Sequence, residues 1–171
     1  MVNGSSKRDY LIGGEGIDFL TAGHGNDLLD GGNNRDTLIG WLGNDTLIGG
    51  EGDDKLLADS GGDLLLGGKG NDDMACWGGN FVSILIGDEG NDKISCKNGI
   101  ASFLYGSEGN DWIASDNLNS IMFGGSRNDT LDGDDKFSNN DFFNCGSGTD
   151  TIRFFDETMD VKSNDCELLQ D

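Results

Sequence analysis

One large apolar residue recurs every nine positions through the first part of the chain: Leu11, Leu20, Leu29, Leu38, Leu47, Leu56, Leu65 and Met74. After slightly irregular spacings the series continues through Leu85, Ile94, Leu104, Ile113, Met122, Leu131, Phe143 and Ile152. The segments between are polar and glycine-rich. A period of nine suits neither an amphipathic helix nor one long alternating strand. It suits a short strand followed by a tight turn, repeated and stacked so that neighbours share one core. In a three-residue strand only the middle side chain faces inward, so the pattern predicts this apolar series as the core, with the two flanking positions pointing outward.

The turns carry their own pattern. The frames read GGEGIDFLT from Gly13, AGHGNDLLD from Ala22, GGNNRDTLI from Gly31, GWLGNDTLI from Gly40, GGEGDDKLL from Gly49 and GGKGNDDMA from Gly67. Positions one to six form the turn, where glycine permits backbone angles closed to other residues and lets several carbonyl oxygens face one small space. The aspartate at position six adds a charged oxygen. In these residues the chain resembles the RTX family of calcium-binding β-rolls, whose consensus is GGxGxDxUx with U a large apolar residue, over about residues 4 to 153.

The resemblance implies an all-β fold, a right-handed parallel β-roll (a β-solenoid) of about eight turns with two nonapeptides per turn, and calcium between turns eighteen residues apart. It implies ligands from the carbonyls of positions two and four of one turn, those of positions one and three of the next, and both aspartates, an oxygen-only set of the kind Ca²⁺ prefers. Alternate repeats then lie on opposite edges. One row holds Asp18, Asp36, Asp54, Asp72, Asp92, Asp111, Asp129 and Asp150, giving up to seven gaps. The other holds Asp9, Asp27, Asp45 and Asp63, giving three, then decays; Asp141 has no good neighbour there. The carbonyls implied are those of Gly14, Gly16, Gly31, Gly32, Asn33, Asn34, Gly49, Gly50, Glu51, Gly52, Gly67 and Lys69.

Composition agrees with a cation-filled roll. The 171 residues carry a formal net charge of −21, with 30 glycines and no proline. So acidic a chain disfavours nucleic acid or an anionic membrane as partner. Ten calcium ions would bring twenty positive charges and nearly cancel that charge, which predicts metal-dependent folding. No apolar run reaches the length of a membrane span, and MVNGSSKRDY lacks a signal-peptide layout, so either export uses another signal or the chain is a mature form.

Within the two-row arrangement, Cys76 and Cys96 share position one on successive turns, about 4.8 Å apart by strand spacing. That predicts a Cys76–Cys96 disulfide where the decaying row has lost its metal, with two buried free thiols as the alternative. Cys145 and Cys166 flank the non-repeating end, and a second disulfide is expected to close a C-terminal cap over residues 154–171, after a calcium-binding roll over residues 1–153. Four cysteines fit an oxidising compartment. The N-terminus shows no cap, and Gly4 already begins a repeat, so an open strand edge is expected there.

On the decaying row the outward strand positions form two apolar ladders. They comprise Tyr10, Leu28, Leu64, Ile84, Phe103, Ile121 and Phe142, and Ile12, Ile48, Leu66, Ile86, Tyr105 and Phe123. An apolar surface of that extent predicts an interface with a second copy or an extracellular protein partner; burial within the monomer is the alternative. His24 is the only histidine and occupies an unconstrained turn position, so no catalytic triad or zinc set can be assembled, and the chain is read as non-enzymatic. Trp41 and Trp77 share turn position two on this row, as a partner anchor or a cover for the edge. The leading function is a secreted or cell-surface calcium-binding structural module. The alternative is a calcium-dependent folding and export module of a larger secreted enzyme or adhesin. Ice binding is disfavoured because no outward threonine rank exists.

Overall fold

A computed structural model of the chain describes residues 1–133, 140–153 and 160–168. Residues 134–139, inside the long repeat GDDKFSNNDFFN, and residues 154–159 and 169–171 of the expected cap lie outside the described residues. The strands are β1 (Val2–Asn3), β2 (Tyr10–Glu15), β3 (Phe19–His24), β4 (Leu28–Asn33), β5 (Thr37–Leu42), β6 (Thr46–Glu51), β7 (Lys55–Ala58) and β8 (Leu64–Lys69). There follow β9 (Asp73–Glu89), β10 (Lys93–Glu108), β11 (Trp112–Ser115), β12 (Ser120–Ser126), β13 (Thr130–Asp132), β14 (Phe142–Ser147), β15 (Thr151–Arg153), β16 (Val161–Lys162) and β17 (Glu167–Leu168). Among the described residues there is no helix.

Every pairing is parallel and links a strand to its counterpart one turn on, as in Leu20↔Leu38 and Leu29↔Leu47. The result is an all-β parallel solenoid of about eight turns. One column runs β1, β3, β5, β7, the first part of β9 and of β10, β11, β13, β15 and β17. The second runs β2, β4, β6, β8, the later part of β9 and of β10, β12, β14 and β16. Between the columns lies the predicted apolar series, from Leu20 to Ile152, each residue essentially fully buried; only Leu11, on the first turn, keeps slight exposure. Each such side chain contributes about 1.5–3 kcal/mol of hydrophobic stabilisation.

Strand length departs from the expectation. Seven of the strands, β2 to β6, β8 and β14, span six residues rather than three, because pairing resumes at position two of the following turn, as in Gly14↔Gly32 and Glu15↔Asn33. Position one is an interior corner with room for only small groups: Ala22, Ala58, Cys76, Cys96 and Ser115 are all buried there. Cys76 is bonded to Cys96 with Cα atoms 4.6 Å apart, and Cys145 to Cys166 at 5.3 Å. At the N-terminus β1 adds a strand below β3, with Val2 packed on the core. Beyond Arg153 the ladder adds another rung in each column, Val161 beside Phe142 and Glu167 beside Thr151.

Candidate metal centres

The position-six aspartates form two continuous ladders, and each carboxylate beyond the first turn is held the same way. In the first column the amide of Asp18 donates to Oδ1 of Asp36, that of Asp36 to Asp54, and that of Asp54 to Asp72, each at 2.7 Å. The series continues from Asp72 through Asp92, Asp111 and Asp129 to Asp150 at 2.8–2.9 Å. In the second column Asp9, Asp27, Asp45 and Asp63 repeat it at 2.8–2.9 Å. On the first turn Asp9 Oδ2 accepts the Ser5 amide and hydroxyl at 2.6 and 2.8 Å. From the second turn on, one oxygen of each aspartate is committed to the neighbouring turn. The other, Oδ2, is buried without a hydrogen-bond partner in Asp27, Asp36, Asp45, Asp54, Asp63, Asp72, Asp92, Asp111 and Asp129. A buried carboxylate oxygen left unsatisfied costs several kcal/mol unless a cation or a proton meets it.

Backbone oxygens surround the same space. A Cβ on Gly49 would come within 2.6 Å of both the Gly67 carbonyl oxygen and Asp54 Oδ2; on Gly31 it would meet the Gly49 carbonyl at 2.6 Å and Asp36 Oδ2 at 2.7 Å. Similarly the Gly31 carbonyl lies 2.5 Å from the place of a Cβ on Gly13. From the turn below, the Gly14 carbonyl faces Gly32 and the Gly32 carbonyl faces Gly50, while the Asn34 carbonyl lies 2.5 Å from where Gly52 would carry a Cβ. So the carbonyls of positions two and four point one way along the axis and those of position one point back. Lys69, at position three, accepts the Gly52 amide at 2.7 Å, and its carbonyl has a second lone pair to offer a metal.

This donor set fits a hard cation: carboxylate and carbonyl oxygens only, in a glycine-lined cradle that any Cβ would fill. Among the described residues no three acidic, histidine or cysteine side chains gather into a metal cluster. That follows from the geometry, because a gap between two turns supplies only two carboxylates and takes its remaining donors from the backbone. With no cation, several of these carboxylates give up their protons less readily than an ordinary aspartate. Burial, only partly offset by the amide from the turn below and aided by neighbouring aspartates, pushes Asp54 and Asp63 up to about 6 and Asp72 up to about 7. Asp92 and Asp111 reach about 6 and Asp129 about 7, chiefly through burial.

The family model of the RTX calcium-binding nonapeptide repeat matches four segments, residues 3–38, 39–74, 77–95 and 101–122. The chain belongs to this RTX family. No curated protein matches the chain. RTX repeats bind calcium, and the roll is a calcium-binding structural module. The matched segments include the stretch of the second column from which aspartate is missing.

In that stretch the RTX roll substitutes serine. Ser83, Ser102 and Ser120 occupy position six on successive turns and are buried. The Asp63 amide donates to Ser83 Oγ at 3.2 Å, where another turn would offer a carboxylate. Aspartate then returns: the Ser120 amide donates to Asp141 Oδ1 at 2.7 Å, and the Asp141 amide to Asp160 Oδ1 at 3.0 Å. Asp141 therefore has a neighbour one turn on, in the segment read from sequence as non-repeating. The serines had a sequence signal, since each stands directly before a strand in SILI, SFLY and SIMF.

The apolar ladders lie where expected, in register along the outside of the second column. Tyr10, Ile12 and Ile84 are well exposed; the others are half-buried, and none is buried in the core. Tyr105 stacks on Phe123 with ring centres 4.6 Å apart, and Phe123 meets Phe142 at 6.3 Å. Trp41 and Trp77 are exposed on the turn edge. Trp41 holds φ at +73°, an angle that disfavours side chains, and its indole N–H donates to Thr21 Oγ1 at 3.1 Å. It forms a small apolar groove with Gly23, exposed His24 and Leu42.

Proposed function

We propose that this RTX roll is a non-enzymatic, secreted or cell-surface structural module that folds on binding up to about ten calcium ions and associates through its apolar sheet face. In this reading the metals lie between turns, held by Asp18 through Asp150 on one edge and by Asp9, Asp27, Asp45 and Asp63 on the other. The glycine-rich carbonyls, from Gly14 and Gly16 to Gly67 and Lys69, complete each set. The observation that carries it is the repeated buried Oδ2 with no hydrogen-bond partner, an arrangement that a divalent cation between turns would relieve. Affinities of about 10⁻⁴–10⁻³ M, the extracellular class, would leave the chain unfolded where calcium is scarce and folded where it is plentiful. Two disulfides suit the same oxidising setting.

The occupant proposed for the apolar face is a second copy. From Tyr10 to Asn144 its two outward ladders carry one charged residue, Asp30, while the chain as a whole is at −21. Two metal-free copies would repel; calcium would remove most of that charge and leave the apolar contact dominant. Sedimentation velocity should show a concentration-dependent dimer or larger species in millimolar calcium. Changing Phe103→Lys and Ile121→Lys together should weaken it at least about tenfold, as loss of central interface anchors does. A strict monomer in calcium at every concentration would remove self-association and leave the metal reading in place.

A further inference from the structure

The second-column corner between residues 76 and 102 is built unlike the corners before it. Elsewhere adjacent turns pair at about five positions and stop, as β4 and β6 do. Strands β9 and β10 instead pair from Asp73↔Lys93 through Cys76↔Cys96, Trp77↔Lys97 and Gly79↔Gly99 to Glu89↔Glu108, with one irregularity between Gly99 and Ala101. The backbone here is hydrogen-bonded through the corner rather than opened toward a metal gap, and the buried Cys76–Cys96 bond lies within it.

The next corner continues the substitution. The hydroxyls of Ser102, Ser115 and Ser120 form a closed triangle at 2.7–3.3 Å, and all three residues are buried. The Gly99 amide donates to the Asn117 side-chain carbonyl at 2.5 Å. What a cation would hold elsewhere is held here by a covalent bond and by hydrogen bonds between neutral groups. With no carboxylate column on this edge, removing metal creates no like-charge repulsion along it. The disulfide also narrows the unfolded ensemble of the segment it closes. On the opposite edge of the same turns Asp72, Asp92, Asp111 and Asp129 remain, so metal removal still loosens that side.

We infer that β9, β10 and β12 form a calcium-independent block whose persistence depends on the Cys76–Cys96 bond. The roll is then held in two ways, by cations over its outer turns and by sulfur and serine in the middle. The metal-free oxidised chain keeps this block as a template on which the other turns assemble when calcium arrives; the metal-free reduced chain loses it. The inference rests on the calcium reading and adds a redox control to it.

Hydrogen exchange followed by mass spectrometry tests it on the full chain in excess EGTA. In the oxidised protein, peptides across residues 82–89 and 101–108 should exchange at least about tenfold more slowly than those across residues 28–51. With Cys76→Ser and Cys96→Ser combined, that ratio should fall toward one in EGTA, while calcium restores protection over residues 28–51. Reductant added to the wild-type chain in EGTA reads the same effect should the variant fail to fold. Cys145→Ser with Cys166→Ser should leave the ratio unchanged. Uniformly fast exchange in the oxidised metal-free chain would overturn the inference alone, as would protection that survives reduction. Full protection of residues 28–51 in EGTA would instead sink the calcium reading, and this inference with it.

Discussion

Excess EGTA should expand the chain at least about one and a half fold in radius of gyration. A compact chain of this length has a radius of about 16 Å and an unfolded one about 44 Å. The reason is electrostatic. Along the first column Asp36, Asp54, Asp72, Asp92, Asp111 and Asp129 are stacked one rung apart, buried, each with an oxygen that has no hydrogen-bond partner. Strand spacing puts successive carboxylates about 4.8 Å apart. At that distance like charges repel by roughly 3–4 kcal/mol at an effective dielectric constant near 20, and the repulsion accumulates over the column. Domain stability is only about 5–15 kcal/mol. This edge cannot therefore retain its carboxylates charged, buried and metal-free together. Small-angle scattering in calcium and then in EGTA measures the change; an unchanged radius would mean that the aspartate ladders are satisfied without metal.

Acid should rescue the metal-free chain and strip the loaded one. In the folded metal-free roll Asp54, Asp63, Asp92 and Asp111 titrate near 6 and Asp72 and Asp129 near 7, against an ordinary value of 3.8. The folded form consequently binds more protons than the unfolded chain between about pH 4 and 7, so stability falls as pH rises through that window. The contribution is fully present below about pH 4 and is lost as pH passes 6 to 7. In EGTA, circular dichroism should report more strand at pH 4.5 than at pH 8. With calcium the direction reverses: protons compete for the same oxygens, and the calcium concentration at half-saturation should rise as pH falls from 7 to 5. Greater strand content at pH 8 than at pH 4.5 in EGTA would contradict the assignment of these aspartates as the groups that metal or protons must neutralise.

Much of this architecture was legible in the residues because each turn repeats one local solution. Leu20 through Ile152 could be placed in a core by spacing alone, and Asp18 through Asp150 could be aligned on one edge once alternate repeats were separated. The pairing of Cys76 with Cys96 followed from their common position one. What could not be read was the backbone between these landmarks. The longer repeats from Cys76 and Cys96 look like decayed turns, yet β9 and β10 pair through them, since parallel hydrogen bonds depend on the neighbouring turn and leave no local signature. Replacement of aspartate by Ser83, Ser102 and Ser120 left only a weak trace, a serine directly before each strand; the stack gives it meaning, since the Ser83 hydroxyl accepts the Asp63 amide where another turn offers a carboxylate.

Position five shows how a pattern can be seen without its cause. Asn71, Asn91, Asn110 and Asn128 recur there on the first column. Each side-chain carbonyl accepts the amide one turn on, Asn91 onto Asn71 at 2.9 Å and Asn110 onto Asn91 at 2.8 Å. The repeated asparagine is a hydrogen-bonded cap on an otherwise unpaired turn amide. Likewise Asp141 seemed isolated because its partner, Asp160, lies beyond the last recognisable nonapeptide.

If the two aspartate ladders hold calcium, the number of ions bound per chain is fixed by the number of gaps between turns. Isothermal titration of the metal-free chain with calcium, supported by metal analysis after equilibrium dialysis against millimolar calcium, should give about ten ions per chain, the seven and three gaps of the two edges. One or two ions, or none, would contradict the account, because the buried carboxylate oxygens would then be met by something other than metal.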